Sequence, residues 1–149
     1  MVAVIQRVTG ARVTIGDEVA GIIGPGLVVL LAVGRDDTDA DAQWMTSKIT
    51  SLRVFPSSPE KGFDRDVTEV GGQILLISNF TVAAYTKKGR RPSFDPAMPP
   101  DLAKPVFEKV LSSLRATGIR TETGRFGADM QVTLTNDGPV TFILDSRAV

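Results

Sequence analysis

Apolar and polar residues alternate from the first positions of the chain: Val2, Val4 and Val8 are interspersed with Gln6 and Arg7, and residues 11–15 continue the period of two. Such alternation predicts strands. Gly16-Asp17 is a turn signal, residues 18–23 read as the returning strand, and Gly24-Pro25-Gly26 stops it. The run from Leu27 to Val33 contains no polar side chain, which predicts a strand covered on both faces. Asp36-Asp37-Thr38-Asp39 is acidic and rich in helix-capping residues, and Trp44, Met45, Ile49 and Leu52 follow at helical spacing, so a helix is expected over about 38–52.

Residues 53–55 read as a short strand and residues 56–62, with two prolines, as a loop. A second apolar strand is expected over 73–80, followed by a basic, proline-rich loop over 82–100. Leu102, Val106, Phe107, Val110, Leu111 and Leu114 then define a helix over 100–117 that closes at Gly118, with Pro105 inside its first turns. Strands are expected near 119–123, 128–135 and 139–145, the last two separated by the turn signal Asn136-Asp137-Gly138. About eight strands and two helices predict one mixed α+β (α/β) domain over 1–149. Its expected form is strand-rich: two packed sheets or a barrel-like sheet, with the helices on one side.

Composition narrows the chemistry. The 149 residues include no histidine and no cysteine, which excludes Ser-His-Asp and Cys-His catalysis, disulfides, and zinc sites built on those ligands. No cofactor or metal is expected; Asp64, Asp66 and Asp95 lack the spacing of a cation loop and read as loop carboxylates. Seventeen basic residues balance 17 acidic ones, so any nucleic-acid contact must come from a local patch. Lys87, Lys88, Arg90 and Arg91 form such a patch. No apolar run approaches the roughly 18 residues of a membrane span, and the opening residues lack a leader pattern, which points to a cytoplasmic protein.

Three segments carry a resemblance: Ala3-Val4-Ile5-Gln6-Arg7-Val8; Ser78-Asn79-Phe80-Thr81 leading into Lys87-Lys88-Gly89-Arg90-Arg91-Pro92-Ser93-Phe94; and Gly124-Arg125-Phe126-Gly127-Ala128-Asp129-Met130 with Asn136-Asp137-Gly138-Pro139 beyond it. Together, in this order and spread over essentially the whole chain, they resemble the D-aminoacyl-tRNA deacylase (D-Tyr-tRNA deacylase) family. The second segment departs from the family's Ser-Gln-(any)-Thr pattern by having Asn79 in place of Gln.

The resemblance implies a homodimeric hydrolase with its active site at the subunit interface. It would cleave the ester of D-aminoacyl-tRNA, glycyl-tRNA included, and spare L-aminoacyl-tRNA. Ser78, Asn79, Phe80 and Thr81 would face the ester, with backbone amides polarising it and the substrate's ribose 2′-hydroxyl assisting. Gly138-Pro139, as a cis pair, would form a wall with no room for an L side chain. Arg7 would hold that pair's carbonyls, Phe126 and Met130 would line the pocket for adenine or the amino acid, and the basic patch would meet the acceptor stem.

Two other readings stand beside it. One is a non-catalytic RNA-binding module of the same fold; the other is a carboxylate-based hydrolase using Asp129 or Asp137 as base.

Overall fold

A computed structural model of the chain describes residues 1–148. Six strands and two α-helices occur in the order β1 (Val2–Ile15), β2 (Glu18–Ile23), β3 (Gly26–Ala32), α1 (Asp39–Ser51), β4 (Gln73–Ser78), a short 3-10 helix (Phe80–Ala83), α2 (Pro100–Ala116), β5 (Thr121–Thr123) and β6 (Gln131–Asp145). All strands join one mixed sheet, ordered β2-β1-β3-β4-β5 with β6 on the remaining edge of β1. β1 is antiparallel to β2, β3 and β6, while β3, β4 and β5 run parallel to one another. The parallel connections are the two helical crossovers, as parallel pairing requires. The sheet curls into a nearly closed barrel. Gly21 makes part of that closure possible, since a Cβ there would lie 2.9 Å from the Thr123 carbonyl oxygen.

The sheet has a core on each face. Ala3, Ile5, Val29, Leu31, Ile74 and Leu76 pack under Ala42, Met45 and Ile49 of α1 and Phe107, Val110 and Leu114 of α2. Val8, Ala11, Val13, Ile23, Val28, Leu75 and Ile77 form the second core, on the barrel side. β3 therefore buries both faces, as its unbroken apolar run predicts. β1 serves both cores. Ordinary alternation turns Val8 away from Ile5, and a register irregularity between Val8 and Gly10 keeps Ala11 and Val13 on the Val8 side.

Several sequence expectations change here. Residues 2–15 are one strand, which the mixed pattern around Thr9 and Gly10 obscured. Residues 53–55 contribute only an isolated bridge between Phe55 and Arg65, and residues 128–130 are not extended. Leu102 faces solvent; the buried stripe of α2 is Ala103, Phe107, Val110 and Leu114. The largest correction concerns Asn136-Asp137-Gly138, which does not reverse the chain. β6 continues in one direction along the whole of β1, and the residues from Asp137 to Val140 bulge out opposite Arg7, because Gln6 pairs with Thr141 and Val8 with Asn136. An uninterrupted partner 14 residues long supplies ladder bonds on both sides of the bulge, and these outweigh the local turn preference.

The start of α1 carries an acid-sensitive contact. The Asp41 carboxylate accepts from the Ser146 hydroxyl at 2.6 Å and from the Thr38 amide and hydroxyl at 2.8 and 2.9 Å. The Ser146 bond chiefly, then the Thr38 bonds and the Met1 ammonium, hold its pKa at about 2 against the partial burial that opposes them. Because the folded value lies below the ordinary 3.8, the stabilisation is complete above that pH and disappears as pH falls through about 2. Screened for its partial exposure it is roughly 1 kcal/mol. Asp41→Asn is expected to flatten the loss of stability between those limits in urea titrations.

Candidate active site

The carboxyl ends of the parallel strands β3, β4 and β5 point to one end of the sheet, where an α/β arrangement ordinarily opens its binding crevice. A cleft of about 1100 Å³ lies there. Its walls include Arg35 beyond β3, Ser78, Asn79, Phe80 and Thr81 at the end of β4, and Phe126 and Met130 between β5 and β6. The structure thus brings together the two central segments singled out in the sequence.

Local hydrogen bonding explains the shape of the Ser78–Thr81 segment. The Asn79 amide donates to the Leu31 carbonyl at 2.8 Å, adding one more rung to the β3–β4 ladder. The chain then leaves the sheet, with Val82 N–H bonded to the Asn79 carbonyl at 3.3 Å and Ala84 N–H to the Thr81 carbonyl at 3.1 Å. Phe80 and Thr81 open that helical turn, so their own amides have no preceding carbonyl to bond. Among the described residues they have no partner. The expected strand over 73–80 therefore ends at Ser78, and its last two residues become the turn. The Thr81 hydroxyl donates to Asn79 Oδ1 at 2.5 Å. Asn79 is committed through both its backbone N–H and its side-chain oxygen, and the amides left without a partner among the described residues belong to its two successors.

Phe126 and Met130 are half-buried. Phe126 leans on the core ring of Phe107, with centroids 5.8 Å apart, and Met130 packs against the barrel-side core. Each packs inward and also lines the cleft.

Arg7, Gly138 and Pro139 lie elsewhere in the chain, at the β6 bulge. The Gly138–Pro139 peptide bond is cis, and both residues are exposed. They are not part of the cleft wall. Arg7 donates from Nη1 to the Val54 carbonyl at 2.6 Å, and its Nε lies 3.0 Å from Asp137 Oδ2. That last contact is an ion pair by distance only, since its angles leave the buried Nε–H without a directed acceptor. Arg7 thus braces the residue just before Gly138. Asn136 completes the clamp, its side-chain amide donating to the Arg7 carbonyl at 2.9 Å and the Val140 carbonyl at 3.1 Å.

Lys87, Lys88, Arg90 and Arg91 project from an exposed loop that begins just beyond the 3-10 helix. Its neck is closed by reciprocal Tyr85–Ser93 backbone bonds of 2.8 and 2.9 Å, and none of the four cations has an ion-pair partner among the described residues. Asp66 caps a turn by accepting from the Thr68 and Glu69 amides, and Asp64 accepts from Ser57, so both are loop carboxylates as read. Asp129 is exposed on the cleft wall, and Asp137 is half-exposed beside Arg7. No helix among the described residues is long and apolar enough to cross a membrane.

Sequence reasoning missed Arg35, Asp95 and Phe94 as cleft residues, and the Arg7–Asp137–Asn136 clamp. The signal for Arg35 was its place: it follows an apolar strand with a parallel neighbour, where the crevice opens.

A mixed sheet with two crossover helices thus carries, at the carboxyl ends of its parallel strands, a cleft lined by the Ser78–Thr81 turn. The comparisons name the family. The sequence model described as D-Tyr-tRNA(Tyr) deacylase matches residues 4–145. The chain belongs to that family, whose named members are hydrolases acting on ester bonds. It is 49% identical over 146 residues to a D-aminoacyl-tRNA deacylase of Roseiflexus sp., covering 98% of this chain and 94% of the relative. It is 50% identical over 147 residues to one from Desulfitobacterium hafniense, covering 99% and 98%. Among solved structures, one titled c-Myc DNA Unwinding Element Binding Protein superposes with a TM-score of 0.94 at 42% identity, covering 99% of this chain and 100% of that one.

Proposed function

We propose that the chain hydrolyses the ester of D-aminoacyl-tRNA and of glycyl-tRNA at this cleft, releasing free tRNA and the amino acid. The observation that carries the reading is the Ser78–Thr81 turn, which leaves the Phe80 and Thr81 amides unpaired in a cleft shared with Phe126 and Met130. Backbone N–H groups directed at a carbonyl oxygen stabilise the oxyanion that forms as water adds to an ester. The chain has no histidine to accept the proton, and the 2′-hydroxyl adjacent to the scissile ester is the nearest acceptor that the substrate itself brings.

Thr81 is a positioning residue in this reading. Its hydroxyl proton is directed at an amide oxygen, which does not take up a proton as a general base must. Thr81→Val is therefore expected to keep kcat within about ten-fold of the parent enzyme, the scale of one lost hydrogen bond. Loss of a true nucleophile costs on the order of a million-fold. Single-turnover kinetics separate the two outcomes.

Gly138 and Pro139 act in trans from a second copy. Two observations support this: in one chain the pair does not reach the cleft, and β6, which carries it, has its whole outer edge unpaired. An exposed edge strand 15 residues long is a surface that proteins ordinarily cover. Ile143 and Phe142 are 73% and 38% exposed on it, with Phe63 against Phe142. A backbone wall that seizes the amino group and excludes an L side chain rejects by clash. Glycine has no side chain to clash, which is why glycyl-tRNA belongs among the substrates. The cell compartment in this reading is the cytoplasm, where aminoacyl-tRNA is used.

The test is deacylation of D-tyrosyl-, L-tyrosyl- and glycyl-tRNA by the purified protein in chelator, with sedimentation to measure its mass. Release of D-tyrosine and glycine but not L-tyrosine, from a dimer, supports the reading. A monomer removes the trans wall. The exposed basic loop and the nucleic-acid-binding title of the solved relative favour a second reading, an RNA-binding module without turnover. Retained tRNA binding with inactivity on all three esters would select it.

A further inference from the structure

We infer that Arg35, Phe80 and Phe94 form a second nucleotide subsite, which takes the base and phosphate of the nucleotide preceding the esterified adenosine. The inference rests on the reading of the cleft as an aminoacyl-tRNA site. At about 1100 Å³ the cleft is larger than the roughly 300–1,000 Å³ that a single small ligand fills. Phe126 and Met130 are anchored in the two cores, whereas Phe80 and Phe94 are 56% and 41% exposed although they line the same cleft.

Those two rings hold each other edge to face, with centroids 5.1 Å apart and planes at 74°. Such a pair fixes the orientation of both rings while leaving ring surface to solvent. Exposed aromatic faces are what single-stranded nucleic acids stack on.

Arg35 supplies the charge. Its backbone N–H donates to the Pro96 carbonyl at 2.8 Å and its Nε to the Asp95 carbonyl at 2.9 Å. The guanidinium is thereby tethered, and no carboxylate among the described residues pairs with it. Its two outer nitrogens form the fork that suits a phosphate. The Asp95 carboxylate borders the same cleft and offsets part of that charge, so the rings carry more of the affinity than Arg35 does. Phe80 and Phe94 also flank the basic loop, placed on either side of the Tyr85–Ser93 neck. Lys87, Lys88, Arg90 and Arg91 are exposed in the loop that this neck closes.

The experiment compares two substrates that differ only beyond the terminal nucleoside: D-tyrosyl-tRNA and the 3′-ester D-tyrosyl-adenosine. Phe94→Leu is expected to raise KM for the tRNA about ten-fold, the scale of one lost base stack, with kcat unchanged. Its kcat/KM on D-tyrosyl-adenosine should stay at the parent value. Phe94→Tyr, which keeps a ring, should restore the tRNA KM. Arg35→Gln should give a smaller rise and a weaker dependence of KM on salt. Equal losses on both substrates, or no loss on tRNA, would overturn the subsite while leaving the deacylase reading intact. A parent protein inert on both esters would overturn both.

Discussion

Gly138→Ala is expected to lower turnover of D-tyrosyl-tRNA about a hundred-fold, the usual cost of a misplacement near 1 Å in a site that depends on position. Gly138 has φ +141°, in a region that side chains other than hydrogen rarely occupy. A Cβ built there would sit 2.7 Å from the Val140 nitrogen and 2.7 Å from Val140 Cγ2. The side-chain atom could rotate away; the backbone nitrogen cannot, because Val140 is buried and its carbonyl is tied to Asn136. The strain is relieved by shifting the Gly138–Pro139 segment, and the proposed wall moves with it. Strain of about 1–3 kcal/mol is also expected in stability, so kcat must be measured well below the melting point of the variant. The decisive quantity is the ratio of D- to L-tyrosyl-tRNA turnover. A lower ratio assigns Gly138 to chirality, whereas full activity with the parent ratio removes the bulge from the mechanism.

The second large effect is on folding. Asp37→Ala is expected to cost about 3–5 kcal/mol, because it strands a buried positive charge. The Met1 ammonium and the Asp37 carboxylate meet at 2.6 Å with side-chain exposures of 0% and 1%. Ser146 Oγ lies 2.7 Å from the same ammonium, and the Gly34 amide donates to the second Asp37 oxygen at 2.5 Å. Arg147 Nε approaches the carboxylate at 3.4 Å. One carboxylate thus ties together the start of β1, the turn after β3 and the segment after β6. Urea denaturation at neutral pH gives the cost directly. A loss below about 1 kcal/mol would mean that water reaches the ammonium and that the pair behaves as a surface one.

Much of the fold was legible because its elements are locally consistent. The apolar run of β3, the capped start of α1 and the Gly118 end of α2 each agree with what the neighbouring structure requires. Leu102 misled because helical periodicity near a first turn is satisfied by more than one face, and only packing against α1 selects Ala103 and Phe107. Asn136-Asp137-Gly138 misled for a related reason. Turn residues report that a chain departs from regular pairing, and a bulge needs that departure as much as a hairpin does.

By itself the sequence determined the chemistry that is excluded and the segments that matter. The absence of histidine and cysteine is a property of composition, independent of folding. The family motifs are local strings whose order survives any arrangement of the chain. Period-two and helical patterns likewise follow from backbone geometry that each segment carries alone. The tertiary structure decided which of those strings meet. It gathered Ser78–Thr81, Phe126 and Met130 at the carboxyl ends of parallel strands, added Arg35 and Phe94, and set Gly138–Pro139 apart on the free edge of β6. Those placements depend on strand order and register between residues more than 100 positions apart, as in the pairing of Val2 with Asp145. Long-range pairing is settled by which surfaces are buried together, and local sequence carries no record of that choice.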